Sequence, residues 1–192
     1  MLENVPGMKH SFSMPGMVLN LEEGSLFDTL FLEAARDENA VYRLNQSTVP
    51  LAEPMLIQMA AGNEALADKL IPCTDLYTGK LTKALPVESR TESMDFKSKF
   101  LGRFCLLPDT TAPEIRKIRL DGNAAWFEIR DKLSDIGSWE ASVNGDWILM
   151  AMDKKKSLIS SDPWPSQLPM RGDFQLKVVD KAGNTRIYRQ KI

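Results

Sequence analysis

Apolar and polar residues alternate with a period of two along much of this chain, and this pattern predicts β-strands rather than helices. The clearest example is the stretch 173–180, where Phe174, Leu176 and Val178 share one face and mostly polar residues share the other. The stretch 13–21 has the same period. One short segment, residues 63–70, carries a helix start signal, but it spans only about two turns and we interpret it as a single-turn connector.

Turn residues divide the C-terminal half into short strands. Asn144-Gly145 lies between two strand-like segments, and the type I′ hairpin turn requires positive φ at both central residues, which Asn and Gly tolerate. Charged or glycine-containing turns follow at residues 153–156 and 181–184. Seven short strands in about eighty residues are typical of an immunoglobulin-like sandwich.

The N-terminal half is less regular. Residues 1–12 show no periodicity, and we predict a leader with a tendency to disorder. The segments 71–77 and 80–86 flank Thr78-Gly79 as in a hairpin. Pro50 and Pro54 cannot donate to a central ladder, so we expect that part of the chain at a sheet edge or crossing between sheets.

A proline-bounded stretch, residues 108–115, separates these halves. Pro113 fixes its own φ and favours extended geometry for Ala112, so the following segment begins as a strand. We therefore predict an all-β protein of two tandem β-sandwich domains. The first covers residues 13–108, and the second, immunoglobulin-like domain covers residues 109–192.

Composition argues against several classes of partner. The 192 residues are 43% hydrophobic, enough for a sizeable core, and the formal net charge is −2. Residues 1–108 carry −4 and residues 109–192 carry +2. Neither half has the concentrated basic charge of a nucleic-acid binder. No apolar run reaches the ~18 residues of a membrane span. The first residues lack a signal-peptide pattern, so if the protein is exported, we expect this chain to be a fragment of it.

The residues needed for common catalytic sites are scarce. The one histidine, His10, lies in the predicted leader, and neither a nucleophile–histidine pair nor a typical zinc site can be assembled around it. No phosphate-binding glycine motif is present. Cys73 and Cys105 lie in apolar stretches, which favours two buried thiols, with a disulfide as the alternative in an oxidising compartment. We expect no enzyme activity and no cofactor.

Acidic and amide residues gather at turns of the second half: Asp109, Asp131, Asp135, Asp153, Asp180 and Asn184. Oxygen ligands of this kind suit Ca²⁺. Asp and Asn also populate turns because their side chains bind the local backbone, and we favour this second interpretation and predict no metal site.

Surface residues offer candidate contacts. Trp164 lies between Pro163 and Pro165 in a loop, where it either displays its ring to a ligand or covers its own core. Lys154, Lys155 and Lys156 form either a solvated turn or a contact for an anionic wall polymer. Trp126, Trp139 and Trp147 lie within strands, and we interpret them as packing residues.

Several segments together resemble a known family: residues 15–28, 47–51, 101–104, 109–115, 129–136, 143–150 and 179–184. Their order is similar to that of the C-terminal region of secreted lysostaphin-type (LytM-like) zinc murein peptidases of gram-negative bacteria. The resemblance covers roughly residues 13–192. Asp135 stands where the pattern usually has glycine, and the family's zinc motifs, H-x-x-x-D and H-x-H, have no counterpart here.

The resemblance implies a non-catalytic accessory region that positions a peptidase domain near peptidoglycan, in the cell envelope, periplasmic or exported. Its partners would be an attached or separate peptidase domain and the peptidoglycan itself. The alternative is a carbohydrate-binding or adhesin-like module. Its contact surface would combine Trp164 with the loops around Asn144 and Lys154, Lys155 and Lys156.

Overall fold

The computed structural model describes residues 2–45, 49–62, 64–75, 80–81, 83–91, 93–161 and 169–192. The chain divides into two compact units, Met1–Pro108 (unit 1) and Asp109–Ile192 (unit 2). This division falls inside the proline-bounded stretch 108–115. Strands dominate both units, so the predicted all-β fold class is confirmed. No helix among the described residues is long and apolar enough to cross a membrane.

Unit 1 contains these elements: β1 (Leu2–Asn4), β2 (His10–Met14), β3 (Met17–Leu21), β4 (Leu30–Leu32), β5 (Ala34–Arg36), β6 (Tyr42–Leu44), β7 (Pro50–Ala60), a 3₁₀ helix (Glu64–Lys69), β8 (Leu70–Thr74), β9 (Lys83–Ala84), β10 (Val87–Arg90), β11 (Ser93–Phe100) and β12 (Gly102–Pro108). They form two five-stranded sheets, ordered β10-β11-β7-β3-β2 and β5-β6-β12-β8-β9, and a two-stranded sheet β1-β4. The 3₁₀ helix lies where the connector was predicted, but its six residues make about two turns rather than one. Asn63, the first residue of the predicted segment, lies outside the described residues.

The core of unit 1 is formed by inward residues of several of these strands. Fully buried members include Leu19, Met55, Ile57, Phe96 and Phe104. The chain passes from one five-stranded sheet to the other between β11 and β12, at Leu101 and Gly102. This crossing places consecutive strands on two sheets that share one core.

The prediction of a leader over residues 1–12 is wrong. β1 pairs with β4, β2 pairs with β3, and the Asn4 side-chain amide donates to the Leu30 carbonyl. The single strand predicted over 13–21 is a hairpin, because Pro15 and Gly16 turn the chain between β2 and β3. β1 pairs with a strand far along the chain and needs no periodicity of its own, which explains the first error. The second error is local, because the alternation continues on both sides of Pro15 and Gly16 and hides the turn.

The edge position predicted for the proline-containing segment is also wrong. β7 lies at the centre of its sheet, between β11 and β3. Residues 56–59 pair with β3, whereas Pro50 and Pro54 precede that paired part. On the other side the ladder with β11 shifts register between its Ser98–Met55 and Phe100–Pro50 pairs. The two prolines therefore lie where β7 makes no regular backbone pairing, so their missing N–H groups interrupt no ladder of hydrogen bonds.

The hairpin predicted around Thr78-Gly79 is confirmed in its strands, since β8 and β9 pair. Its turn, residues 76–79, lies outside the described residues.

Unit 2 contains β13 (Glu114–Asp121), β14 (Ala124–Arg130), β15 (Ile136–Val143), β16 (Asp146–Ile148), β17 (Met150–Asp153), β18 (Leu158–Ser161), β19 (Asp173–Asp180) and β20 (Thr185–Lys191). Two four-stranded sheets, β13-β14-β18-β17 and β16-β15-β19-β20, supply one hydrophobic core. The described residues thus hold eight strands rather than the seven predicted. The extra strand arises because the predicted segment 146–152 divides into β16 and β17, which belong to different sheets.

Aromatic stacking fills the centre of unit 2. The Phe127 and Phe174 rings stack with centroids 5.4 Å apart, and Tyr188 packs edge-on against Phe127. The predicted Asn144-Gly145 hairpin is confirmed, with φ of 52° and 90° and the pair Val143–Asp146 flanking it. The core and the turns therefore agree with the alternation visible in the sequence.

Candidate functional site

The predicted contact residues are distributed as follows. Trp164 lies outside the described residues. Asn144 uses its side chain internally, because the amide nitrogen donates to the Arg171 carbonyl (2.9 Å) and the amide oxygen accepts from the Asp173 N–H (2.9 Å). These two bonds brace the β15–β16 turn against the start of β19. Both polar atoms of the Asn144 side chain therefore already have hydrogen-bond partners within unit 2.

The three lysines form the exposed turn between β17 and β18. The Asp153 carboxylate accepts the backbone N–H groups of Lys155 and Lys156 and lies 3.6 Å from the Lys156 ammonium. All three lysine side chains face solvent. The turn is a solvated cationic surface whose backbone is organised by one aspartate.

One outer sheet face of unit 2 carries a row of side chains, the Trp147 row. Trp147 on β16 lies opposite Ser142 on β15, Ser142 opposite Gln175 on β19, and Gln175 opposite Arg189 on β20. Trp147 is 58% exposed, and the Arg189 guanidinium donates to the Gln175 amide oxygen at 2.9 Å. A shallow depression of about 750 Å³ adjoins the row.

The interpretation of Trp147 as a packing residue missed this surface. Ile148 points into the core, so alternation places Trp147 on the outer face. The Asn144-Gly145 turn fixes the register that aligns it with Ser142. The signal was present in the sequence. Trp139 differs, because it is half-buried and its indole N–H donates to the Met150 carbonyl.

Three aspartates of unit 2 converge from separate segments: Asp109, Asp131 and Asp180 (the acidic cluster). One carboxylate oxygen of each lies within 4.8 Å of the others. Within the described part of the chain no other group of three or more His, Cys, Asp or Glu side chains comes together in this way. Asp109 and Asp180 are each only 3% exposed.

Each member of the acidic cluster also caps a turn, as the sequence predicts. Asp131 Oδ1 accepts the backbone N–H groups of Leu133, Ser134 and Asp135. The remaining acceptors are Asp109 Oδ1, which binds the Thr111 N–H, and both oxygens of Asp180, which bind Asn184. Turn capping thus explains part of the cluster. The sequence analysis grouped these three acids with other turn residues, and the fold shows which of them meet.

Asn184 connects two parts of the acidic cluster. Its side-chain nitrogen donates to the Asp109 carbonyl (2.8 Å) and to an Asp180 carboxylate oxygen (2.9 Å). The start of unit 2 is therefore fastened to the β19–β20 turn by this one amide.

Asp135 occupies the position where the resembled pattern has glycine. Its φ is 70°, in the left-handed region that glycine favours and Asp tolerates. Burial raises the pKa of the Asp135 carboxyl, but the Lys181 ammonium at 3.0 Å and the Ile136 N–H outweigh it and hold the pKa below its usual range. Asp135 thus adopts the positive φ of this turn and contacts both Ile136 and Lys181.

Both cysteines are buried. They are register partners on the adjacent strands β8 and β12. Burial, assisted by Asp37, raises the pKa of the Cys105 thiol to about 11 against a smaller opposing effect of Arg103. The sequence predicted buried thiols but gave no reason to expect them opposite each other.

No family model, no curated protein and no solved structure matches the chain.

Proposed function

We propose that this chain is a non-catalytic accessory region of a cell-envelope murein peptidase, periplasmic or exported, that positions the catalytic domain near peptidoglycan. Its support is the order of sequence segments that resembles the C-terminal region of lysostaphin-type enzymes. The all-β fold of two units is compatible with that role.

One structural observation carries the proposal: residues of the resembling segments form or stabilise turns within each unit. Gly16 turns the chain between β2 and β3, where Tyr42 donates its hydroxyl to the Pro15 carbonyl. Asn144 braces a hairpin, and Asn184 ties the start of unit 2 to a turn. Motifs that fix architecture favour a scaffold over a reaction centre.

The state of the nucleophile candidates also favours a non-catalytic role. The raised pKa keeps the Cys105 thiol protonated at neutral pH, and a thiol is a weak nucleophile compared with a thiolate. His10, the first residue of β2, has its Nε2 2.8 Å from the Val5 carbonyl oxygen. Neither group is positioned as an activated catalytic pair.

The first test is a direct assay of activity. The purified chain, supplied with Zn²⁺, is incubated with peptidoglycan, and released fragments are separated by chromatography. We expect no release above the buffer control. A lysostaphin-type enzyme serves as the positive control, and fragment release that scales with the concentration of this chain would contradict the proposal.

The second test asks whether the chain travels with a peptidase. An immunoblot of fractionated source cells against the purified chain should give a band well above its own mass in the envelope fraction. Alternatively, a band of its own mass should co-purify with a peptidase from that fraction. A band confined to the cytoplasm would contradict the proposal.

A second candidate, a carbohydrate-binding module, is favoured by the Trp147 row. An exposed indole ring beside hydroxyl, amide and guanidinium groups is a combination suited to stacking against a sugar ring and bonding its hydroxyls. The row lies on a sheet, whose strands hold its members at fixed spacing. This surface replaces the earlier choice of Asn144 as a sugar contact, since that amide is occupied.

Replacing Trp147 tests the second candidate. Trp147→Ala should lower affinity for soluble peptidoglycan glycan strands about 5- to 150-fold, as expected for loss of ~1–3 kcal/mol of stacking. Trp126→Ala is the matched control, because Trp126 is 41% exposed but belongs to the other sheet of unit 2. Equal affinity of wild type and Trp147→Ala, measured by calorimetry, would remove this candidate.

A further inference from the structure

The acidic cluster brings three carboxylates together with little to balance their charge. Asp109 precedes β13, Asp131 follows β14 and Asp180 ends β19, and their facing oxygens lie within 4.8 Å of one another. Two of the three side chains are almost completely buried. Like charges held this close, away from solvent, repel one another strongly.

The neighbouring cations are engaged elsewhere. Lys132, next to Asp131, pairs with Glu114, and Lys181, next to Asp180, pairs with Asp135. Within the described ranges, no lysine or arginine forms an ion pair with a member of the acidic cluster. Among the described residues, the cluster therefore receives hydrogen bonds from neutral N–H and O–H groups, but no cationic side chain offsets its charge.

One oxygen of the cluster has no partner. Asp109 Oδ2 is buried and makes no hydrogen bond, although Asp109 Oδ1 accepts the Thr111 N–H at 3.1 Å. An unsatisfied buried carboxylate oxygen is costly, and native structures usually satisfy one with a protein donor, an ordered water or a bound ion. The unsatisfied Asp109 Oδ2 is an observation separate from the convergence of the three carboxylates. Together, the two observations point to a bound group that supplies positive charge.

We propose that Asp109, Asp131 and Asp180 bind a divalent cation, and that the cation is Ca²⁺. The donor set consists of oxygens alone, which suits Ca²⁺ and disfavours zinc, whose sites use nitrogen and sulfur. Ca²⁺–oxygen distances of about 2.3–2.6 Å place opposite ligands about 5 Å apart, so oxygens within 4.8 Å of one another can share one ion. Backbone carbonyls and water complete its coordination.

Because the three aspartates lie on separate segments of unit 2, a bound ion links those segments. The ion joins the chain that precedes β13 to the loop after β14 and to the β19–β20 turn. Asn184 already holds the Asp109 and Thr111 carbonyls, so the ion and this amide act on the same segment. Ca²⁺ therefore locks the first residues of unit 2 onto its sheets, a property beyond the proposed accessory function and testable without it.

The test uses the full chain, because its tryptophans report on unit 2 alone. All four, Trp126, Trp139, Trp147 and Trp164, lie after residue 108. Thermal unfolding followed by tryptophan fluorescence is compared in EDTA and in CaCl₂ at matched ionic strength, and binding is measured by calorimetry. Ca²⁺ at about a hundredfold excess over its Kd should raise the unfolding midpoint by roughly 10 °C.

Isosteric variants separate ion binding from turn capping. Asp131→Asn keeps a side-chain oxygen that accepts the same backbone N–H groups, and Asp109→Asn removes one charge from the cluster. Both should lose the Ca²⁺-dependent rise, and Asp109→Asn should unfold in EDTA at or above the wild-type temperature because repulsion is relieved. Asp153→Asn, which caps a turn outside the cluster, should keep the full rise.

Three outcomes would overturn the proposal. The first is the absence of both binding heat and a midpoint shift at 10 mM CaCl₂, on the order of a thousandfold above the affinity range of sensor sites. The second is a Ca²⁺ response of Asp131→Asn equal to that of wild type. The third is an equal response to Mg²⁺ at the same concentration, which would exclude the assignment to Ca²⁺.

Discussion

Units 1 and 2 are both built from β-sheets, but they connect their strands differently. In unit 2 the turns are fixed by local side chains: Asp121, Asp131, Asp153 and Asp180 each accept backbone N–H groups from residues two to four positions ahead. In unit 1 Asp37 does the same, but β1 pairs with β4 and β12 pairs with both β6 and β8 across long separations. The residues of a local turn mark in the sequence where a strand ends. A pairing between distant strands leaves no such mark in the sequence.

The largest expected effects come from buried aromatic residues in each unit. Phe127→Ala in unit 2 and Phe104→Ala in unit 1 should each lower the free energy of unfolding by about 3–5 kcal/mol, because both side chains are fully buried. Urea unfolding followed by circular dichroism measures both, and tryptophan fluorescence isolates unit 2. Phe27→Ala is the control, since Phe27 is 72% exposed, and its change should stay below about 0.5 kcal/mol. A Phe127→Ala loss no larger than the control would contradict the packing described.

A pair of glycines tests how unit 1 depends on a non-local contact. Gly16 and Gly24 both have positive φ, but a Cβ at Gly16 would overlap the Tyr42 hydroxyl, whereas a Cβ at Gly24 meets nothing within 4 Å. Gly24→Ala should cost about 1–2 kcal/mol of conformational strain, and Gly16→Ala about 1–2 kcal/mol more through steric overlap. Urea unfolding followed by circular dichroism gives both values. Equal losses would mean that the turn conformation alone matters.

Alkaline pH should distinguish the units, because only unit 1 contains cysteine. The Cys105 pKa is about 11 in the folded chain against 9.0 for the ordinary thiol. Below pH 9 the thiol is protonated in both states and its contribution to stability is complete. Between pH 9 and pH 11 the unfolded chain ionises first, so stability falls, by up to about 2–3 kcal/mol.

The measurement for this prediction is the free energy of unfolding at several pH values, for wild type and Cys105→Ala. The difference between the two should change across pH 9 to 11 and stay constant below pH 8. Alkylation of Cys105 by iodoacetamide in the folded chain should be slow at pH 8, because little thiolate is present. Parallel pH profiles for the two proteins would contradict the pKa assigned to Cys105.

The smallest expected effects concern two non-glycine residues in the left-handed region, one in each unit. Ala40 has φ 57° and Asp135 has φ 70°. Ala40→Gly should stabilise the protein by up to about 1 kcal/mol, since glycine relieves strain there. Asp135→Gly should gain less, because it also removes the bonds to Ile136 and Lys181. Urea unfolding measures both, and a larger gain at Asp135 than at Ala40 would show that its side-chain contacts contribute nothing.

Much of unit 2 was predictable because its determinants are close in sequence. The alternation in residues 173–180 predicts β19 with its observed bounds, and Asn144-Gly145 predicts the β15–β16 turn. The roles of the aspartates as turn caps followed from the same local chemistry. In unit 1 the predictions for residues 1–12 and for the sheet position of Pro50 and Pro54 failed because β1 and β7 pair with strands far along the chain. The prediction for 13–21 failed for a local reason, since the alternation on both sides of Pro15-Gly16 hid the turn between β2 and β3.

The amino-acid order alone is enough to predict the all-β class, most strand faces of unit 2 and the residues that turn the chain. Hydrophobic periodicity and turn preference depend only on residues that are close in sequence, so both can be obtained from the amino-acid sequence. Three juxtapositions are visible only in the folded chain: Asp109, Asp131 and Asp180 meet, Cys73 lies opposite Cys105, and Trp147 lies at one end of a polar row. These juxtapositions depend on which sheets form and in which register, and that is set by burial of the whole core rather than by neighbouring residues.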